Sequence, residues 1–501
     1  MTPAIRTSSP DLLAHLPVDR ARDTPLHRQV YDGLRRAILE GMLRPGQRVP
    51  STRALAAELS VSRLPVLMAY EQLLHEGYLE GRIGSGTYVC AAPPDRMLRA
   101  TEAVAHRQPP RRNAAARVAT RRRGARAERV TPGRSDGGIR PFRMSLPALD
   151  QFPLTIWSRL VARHARRLAP THMAYGDPAG VGGLRIAIAE HLRTARAVRC
   201  EADQVMVVSG SQAGLRVAAA VLLSRGDRVA IEEPGYSGAH AAIATSGAEV
   251  VPVPVDDEGI DVNALAAIRP RIRAVYVTPS HQYPLGMSMS AARRIALLDW
   301  AARNDAWILE DDYDSEYRYV SQPLGALQGM DPRNRVVYIG TFSKVMFPAL
   351  RVGYVVVPPS LWSAFLDARD ALDGFTPTLY QLALADFLRD GHFARHLRRM
   401  RGLYLRRRDA LLDGLDCYCA DRLTVLNADA GLHVATLLDD GRRDTDVLAQ
   451  MGARGLTAMP LSTCYAGSAP QQGLLLGFGG FDERTLIAAA KTLGEVLRRG
   501  R

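Results

Sequence analysis

The chain has 501 residues, with 65 Lys+Arg against 51 Asp+Glu, a formal charge of +14 and a hydrophobic fraction of 47%. That length suits about two to four domains, and the apolar fraction excludes a chain disordered throughout. Apolar runs stay short of the roughly 18 residues of a spanning helix, no signal peptide is legible, and five scattered cysteines exclude a disulfide scaffold.

Residues 1–24 read as a polar lead-in, and residues 25–90 are dense and periodic. Apolar residues at 26, 30, 34, 37 and 38 predict a helix that ends at Gly41, before the turn Arg44-Pro45-Gly46. Ser51 is placed to cap a second helix. Ser62 is placed to cap a third, which runs to about His75 and carries Pro65 early, where a missing N–H costs little. Gly77 to Cys90 reads as two short strands around a glycine turn. Three helices and a hairpin make an α+β winged helix-turn-helix layout, whose second helix-turn-helix element enters the major groove. A small helical interaction domain is the blander reading. The run PLHRQVYDGLRRAILEGMLRPGQRVPSTRALAAELSVSR, continued by YEQLLHEGYLEGRIGSGTYV, resembles the GntR family of DNA-binding regulators over the whole module. The resemblance implies a double-stranded DNA operator as partner. It implies that Arg53, Ser62 and Arg63 face DNA, with Arg63 on a base edge or a phosphate. Arg82 becomes a phosphate ligand, and Gly84 at the wing tip admits the backbone to the minor groove. Leu64 and Leu67 stand where the family often carries polar or basic residues. Leucine can touch a thymine methyl but cannot hydrogen-bond a base edge.

Residues 91–141 are rich in Pro, Gly, Ala and Arg. Thirteen arginines against four acidic residues within 91–140 supply most of the net charge. A flexible linker is expected there. Its charge fits either a solvated tether or a salt-sensitive attraction to DNA.

From Phe142 to the end (142–501) the pattern is α/β. Short apolar runs (Val205 to Ser209, Arg228 to Glu232, Ala274 to Thr278, Trp307 to Glu310, Val336 to Gly340) alternate with helix-length amphipathic segments. This predicts a mainly parallel, buried sheet. Only two lysines occur in the whole sequence, Lys344 and Lys491. Lys344 lies in Gly340-Thr-Phe-Ser-Lys-Val-Met-Phe-Pro-Ala-Leu-Arg351. A lysine in a buried α/β environment has a lowered pKa and can form a Schiff base with a carbonyl compound. Thr341, Ser343 and Arg351 are phosphate ligands by type. Asp311, in Leu309-Glu-Asp-Asp-Tyr313, follows a predicted strand, where a buried carboxylate can hold a pyridine nitrogen protonated. Tyr313 can hydrogen-bond a phenolic oxygen. Gly210-Ser211-Gln212 makes a glycine turn and a helix start, a backbone arrangement that binds phosphate. Tyr236 offers a ring to stack, and Tyr175 a further hydroxyl.

Taken in order, these segments resemble a fold-type I, class I/II aminotransferase domain over roughly 142–500. The resemblance implies pyridoxal 5′-phosphate (PLP) as cofactor, carried by Lys344 as an internal aldimine. Asp311 becomes the pyridinium partner and Tyr313 the phenolate partner. Ser211, Gln212, Thr341, Ser343 and Arg351 surround the phosphate, and Tyr236 stacks on the ring. Tyr175 reaches the neighbouring subunit's phosphate, which implies a homodimer. The joined modules resemble the MocR/GabR group of transcriptional regulators. That group implies a cytoplasmic regulator sensing PLP or an amino compound, acting in vitamin B6 or amino-compound metabolism, with no membrane and no metal. In Ser280-His-Gln-Tyr-Pro-Leu-Gly286, Tyr283 matches the aminotransferase asparagine position, and His281 is either a cofactor neighbour or a satisfied buried histidine. Leu475 stands where aminotransferases carry an arginine that clamps the substrate carboxylate. An unpaired carboxylate there loses a charge-assisted pair, so transamination of α-amino acids is poorly supported. The alternative is an active aminotransferase that carries a DNA-binding head.

Overall fold

The structure, a computed structural model, describes residues 18–19, 25–39, 41–75, 77–82, 86–90, 138–319, 325–467 and 470–498. Most of the lead-in, nearly all of the expected linker and Gly84 lie outside these residues. No helix among the described residues is long and apolar enough to cross a membrane.

The N-terminal module contains α1 (Leu26–Leu39), α2 (Thr52–Glu58), α3 (Arg63–His75), β1 (Leu79–Arg82) and β2 (Gly86–Val89). The helical spacing of α1 buries Val30, Leu34, Ala37 and Ile38, against Leu55 of α2 and Val66, Ala69 and Leu73 of α3. The Ser51 hydroxyl accepts the Ala54 N–H at 3.1 Å and so caps α2. The Tyr70 hydroxyl donates to the Pro50 carbonyl at 2.7 Å, which ties α3 to the start of α2. The strands pair antiparallel with Arg82 opposite Gly86.

The second module begins where Phe142 bridges to Gly477. Its large sheet runs β3 (Val205–Val208), β10 (Gly353–Val356), β9 (Val336–Thr341), β8 (Trp307–Asp312), β7 (Ala274–Val277), β4 (Arg228–Glu233), β5 (Glu249–Asp256), β6 (Gly259–Ile260). From β9 to β5 every neighbour is parallel, while β10 and β6 run antiparallel to theirs. Helices cover both faces, including α4 (Gly182–Ala195) and α5 (Ser211–Leu222), so the central strands are apolar almost throughout. A four-stranded antiparallel sheet follows the long helix α6 (His392–Cys419), in the order β11 (Leu423–Val425), β12 (His433–Leu438), β14 (Gly473–Gly477), β13 (Met459–Pro460).

One sequence expectation needs revision here. The acidic run does not follow its strand: β8 continues through Glu310, Asp311 and Asp312, all buried. Each carboxylate has a specific setting, described below, so the strand can extend three residues beyond its apolar part.

The two modules touch. Arg398 on α6 pairs with Glu71 on α3 at 2.8 Å, and Arg28 on α1 pairs with Glu190 on α4 at 3.0 Å.

Candidate functional site

The parallel strands end on one side of the sheet, where ligands bind in open α/β folds. There β8 delivers Asp311, β9 leads to Lys344, β4 to Tyr236, β7 to His281 and Tyr283, and β3 to Gly210. These residues are far apart in sequence, and the sheet order brings them to a common cleft.

Side chains alternate along a strand, so Asp311 faces away from Glu310 and Asp312. Glu310 accepts the backbone N–H groups of Leu327 and Gln328, each at 2.8 Å. Asp312 accepts Arg196 Nε at 2.9 Å and the Tyr338 hydroxyl at 2.7 Å. Burial alone would raise the Asp312 pKa, but Arg196 and these hydrogen bonds hold it below the ordinary carboxylate value. Arg196 also donates to Ser280 Oγ at 2.7 Å, directly beside His281.

Asp311 is different. Its Oδ2 accepts the Tyr276 hydroxyl at 2.8 Å. Its Oδ1 is buried with no hydrogen-bond partner among the described residues. Burial raises its pKa to about 7, against the Tyr276 hydrogen bond, and Lys344 is the cation whose field opposes the rise. Lys344 is itself lowered to about 8 by burial, with Asp314 and Asp311 resisting the shift.

A second group flanks the lysine. His281 Nδ1 lies 2.8 Å from Asp314 Oδ1 and 3.0 Å from the Tyr313 hydroxyl. A carboxylate only accepts, so Nδ1 carries the proton and the Tyr313 O–H remains able to donate into the cleft. Gly431, at φ 77°, makes room: a Cβ there would run into the His281 ring. The Tyr283 ring meets Tyr236 edge-on at 5.4 Å and Tyr313 at 5.9 Å, and its hydroxyl donates to Met459 Sδ at 3.2 Å.

At the other end, Gly210 adopts φ 90° before α5, and a Cβ there would sit 3.2 Å from the Arg351 guanidinium. Arg351 donates to the Ser209 carbonyl at 2.8 Å, and Gln212 Nε2 donates to the Tyr236 hydroxyl at 3.2 Å. The Thr341 hydroxyl accepts the Ser343 N–H at 3.1 Å. Ser211 opens α5 directly after Gly210, and Thr341 ends β9, whose Gly340 lies with Gly210 against Gly353. Tyr175 does not join them. It is 96% exposed and meets Phe375 edge-on at 6.4 Å.

Sequence reasoning missed Tyr276, Arg196, Asp314 and Gly431. Tyr276 lies on the expected strand Ala274 to Thr278, but only the parallel pairing of β7 with β8, with Tyr276 opposite Leu309, brings its hydroxyl to Asp311. Arg196 follows α4 by one residue and carries no local signal.

In the N-terminal module Arg53, Ser62 and Arg63 are all exposed, and Arg63 Nε donates to Thr52 Oγ1 at 3.2 Å. Leu64 is 63% exposed, so the first turn of α3 presents both a cation and an apolar surface. Arg63→Ala is expected to weaken specific operator binding by about 1–3 kcal/mol while changing random-DNA binding far less. Fluorescence anisotropy with both DNAs checks this, and equal losses would reduce Arg63 to a phosphate contact.

Residues 26–89 match the model of the bacterial regulatory proteins of the gntR family, and residues 151–472 match that of aminotransferase class I and II. The chain is 41% identical over 478 residues to the probable rhizopine catabolism regulatory protein MocR of Rhizobium meliloti, covering 95% of each. It is 34% identical to the pyridoxine biosynthesis transcriptional regulator PdxR of Corynebacterium glutamicum, covering 95% of this chain and 97% of that protein. The α-aminoadipate aminotransferase LysN of Thermus thermophilus, solved with N-(5′-phosphopyridoxyl)-L-leucine, superposes with a TM-score of 0.68 at 27% identity, over 72% of this chain and 92% of LysN. The class I and II aminotransferase fold is PLP-dependent. With a winged helix of one family joined to a domain of the other across matches that span nearly the whole sequence, the chain belongs to the MocR-type transcriptional regulators of the GntR family.

Proposed function

We propose that this regulator reads PLP, or an amino compound meeting PLP, at Lys344 and transmits the result to its DNA-binding head. The observation that carries the reading is the unpartnered, buried Asp311 Oδ1 in a cleft shared with Lys344. A buried polar atom without a partner is costly, and a protonated pyridine nitrogen supplies the missing donor. The remaining residues fit the same group. Lys344 would hold it covalently. Ser211, Gln212, Thr341, Ser343 and Arg351, with the Gly210 turn, would bind its phosphate. Tyr313, oriented by His281, would donate to its phenolic oxygen, and Tyr236 and Tyr283 would flank its ring. When bound, PLP supplies an aldehyde carbon and an electron sink.

A route to the head fits this reading. The Val345 carbonyl, next to Lys344, faces the His396 ring on α6. Two residues further along α6, Arg398 pairs with Glu71 on α3, the helix whose first turn carries Arg63. Loading at Lys344 can alter DNA presentation only if PLP has different affinities for the two arrangements. Two relatives that are regulators, one of pyridoxine biosynthesis and one probably of rhizopine catabolism, favour sensing over turnover as the task. The exposed Tyr175 suits a homodimer in which it reaches the partner's cleft.

The test is operator affinity of the full chain, measured without PLP and after loading. Wild type is expected to change affinity by about 5- to 150-fold, the usual range of coupling between sites, and Lys344→Ala is expected not to respond. An unresponsive wild type that nevertheless loads PLP would sink the sensing role.

A further inference from the structure

The cleft beside Lys344 has an unusual distribution of charge. Its wall from the C-terminal sheet is apolar: Leu475 of β14, Met459 of β13, Ala435 of β12, Leu461 and Cys464 form one buried cluster with Tyr283. Tyr236, Tyr313 and Tyr465 pack against that cluster. Leu475 is completely buried, and its neighbours in the strand register are Ala435 and Met459, so no polar group stands at that position.

The charges that do reach the cleft are acidic. Asp311 and Asp314 face Lys344, while Glu232 and Asp311 lie near Tyr313. Among the described residues, Arg351 is the arginine whose charge reaches Tyr236, and it is engaged at Ser209 beside Gly210, the end assigned to phosphate. No arginine charge reaches Lys344 or Tyr283 among the described residues. A ligand carboxylate next to the reacting nitrogen would therefore meet leucine, methionine and aromatic rings, with carboxylates behind them. It would lose water without gaining a cation. A ligand amine suffers no such penalty, because the surrounding acids favour it.

We propose that the small molecule recognised at Lys344 is a primary amine without an α-carboxylate, its remainder neutral and shaped to the apolar wall of Leu475, Met459 and Tyr283. This rests on the PLP reading above and narrows its ligand class.

The test uses the full chain loaded with PLP and matched pairs differing by one carboxylate: 2-phenylethylamine with phenylalanine, ethylamine with alanine, and isobutylamine with valine. Binding is followed by calorimetry and by the visible absorbance of the loaded protein. Each amine is expected to bind at least about 10-fold tighter than its amino acid, the value of one lost charged hydrogen bond. Leu475→Arg is expected to shift that ratio towards the amino acid by a similar factor. If Leu475→Arg fails to fold, the wild-type pairs decide alone. Amino acids binding as tightly as their amines, or no binding of either, overturns the proposal. Normal loading at Lys344 with the wrong preference removes only this inference, whereas no loading at Lys344 removes the PLP reading with it.

Discussion

Lys344→Ala is expected to abolish covalent retention of PLP. Borohydride reduction followed by intact-mass measurement should show one added cofactor per wild-type chain and none on the variant. The alternative attachment point, Lys491, is exposed on the helix Glu483–Arg498. The pH dependence is equally specific. An ordinary lysine loses its proton near pH 10.5, whereas burial brings Lys344 down to about 8. The unprotonated amine is the nucleophile. The rate of PLP uptake by the cofactor-free chain should therefore rise with pH around a midpoint near 8 and then level off. A rate still climbing steeply at pH 10 would mean that Lys344 is not held in the buried setting seen here. Mass addition on Lys344→Ala would mean that another group carries the cofactor.

Arg196→Met is expected to produce the largest loss of stability. The guanidinium and Asp312 are both buried, 2.8–2.9 Å apart, and Arg196 also holds Ser280. Removing one partner of a buried ion pair leaves an uncompensated charge and typically costs about 3–5 kcal/mol. All four tryptophans (Trp157, Trp300, Trp307, Trp362) belong to the aminotransferase-like domain. Tryptophan fluorescence during urea unfolding therefore reports on that domain alone. A second change, Asp312→Leu, should restore much of the loss, because the orphaned charge is then gone. The sign of the pH effect follows from the lowered Asp312 pKa. Its contribution is fully present above the ordinary carboxylate value of 3.8 and is lost as pH falls through the lower folded value. An Arg196→Met midpoint within about 0.5 kcal/mol of wild type, the range of ordinary surface changes, would show that the pair contributes little.

Much of the fold was legible because it rests on local signals. The apolar runs of β3, β4, β7, β8 and β9 are short and bounded by polar residues, and they became strands near the expected positions. The α1 periodicity, the Ser51 cap and the paired strands of the wing needed no tertiary information. The expected strand stops at Glu310, because three successive acids give no apolar signal that it continues. They are stable in a strand only through Arg196, Tyr276 and the amides of Leu327 and Gln328, which lie 17 to 116 residues away.

The candidate site divides in the same way. Its chemistry was written in residue types: a rare lysine, an aspartate at a strand end, hydroxyls near a glycine turn, and a leucine where an arginine was expected. Those types imply a carbonyl-binding lysine and a phosphate cradle before any coordinate is known, because protonation and hydrogen-bonding capacity belong to the side chain itself. Which proton sits where is a property of the assembled fold. Asp311 is left with one unpartnered oxygen because Tyr276 of the adjacent strand satisfies only the other. Tyr313 keeps a proton to donate because His281 is oriented by Asp314. The Lys344 pKa falls to about 8 because burial outweighs the two carboxylates beside it. Desolvation and Coulomb fields depend on distance through space, and only the packing of strands remote in sequence sets those distances.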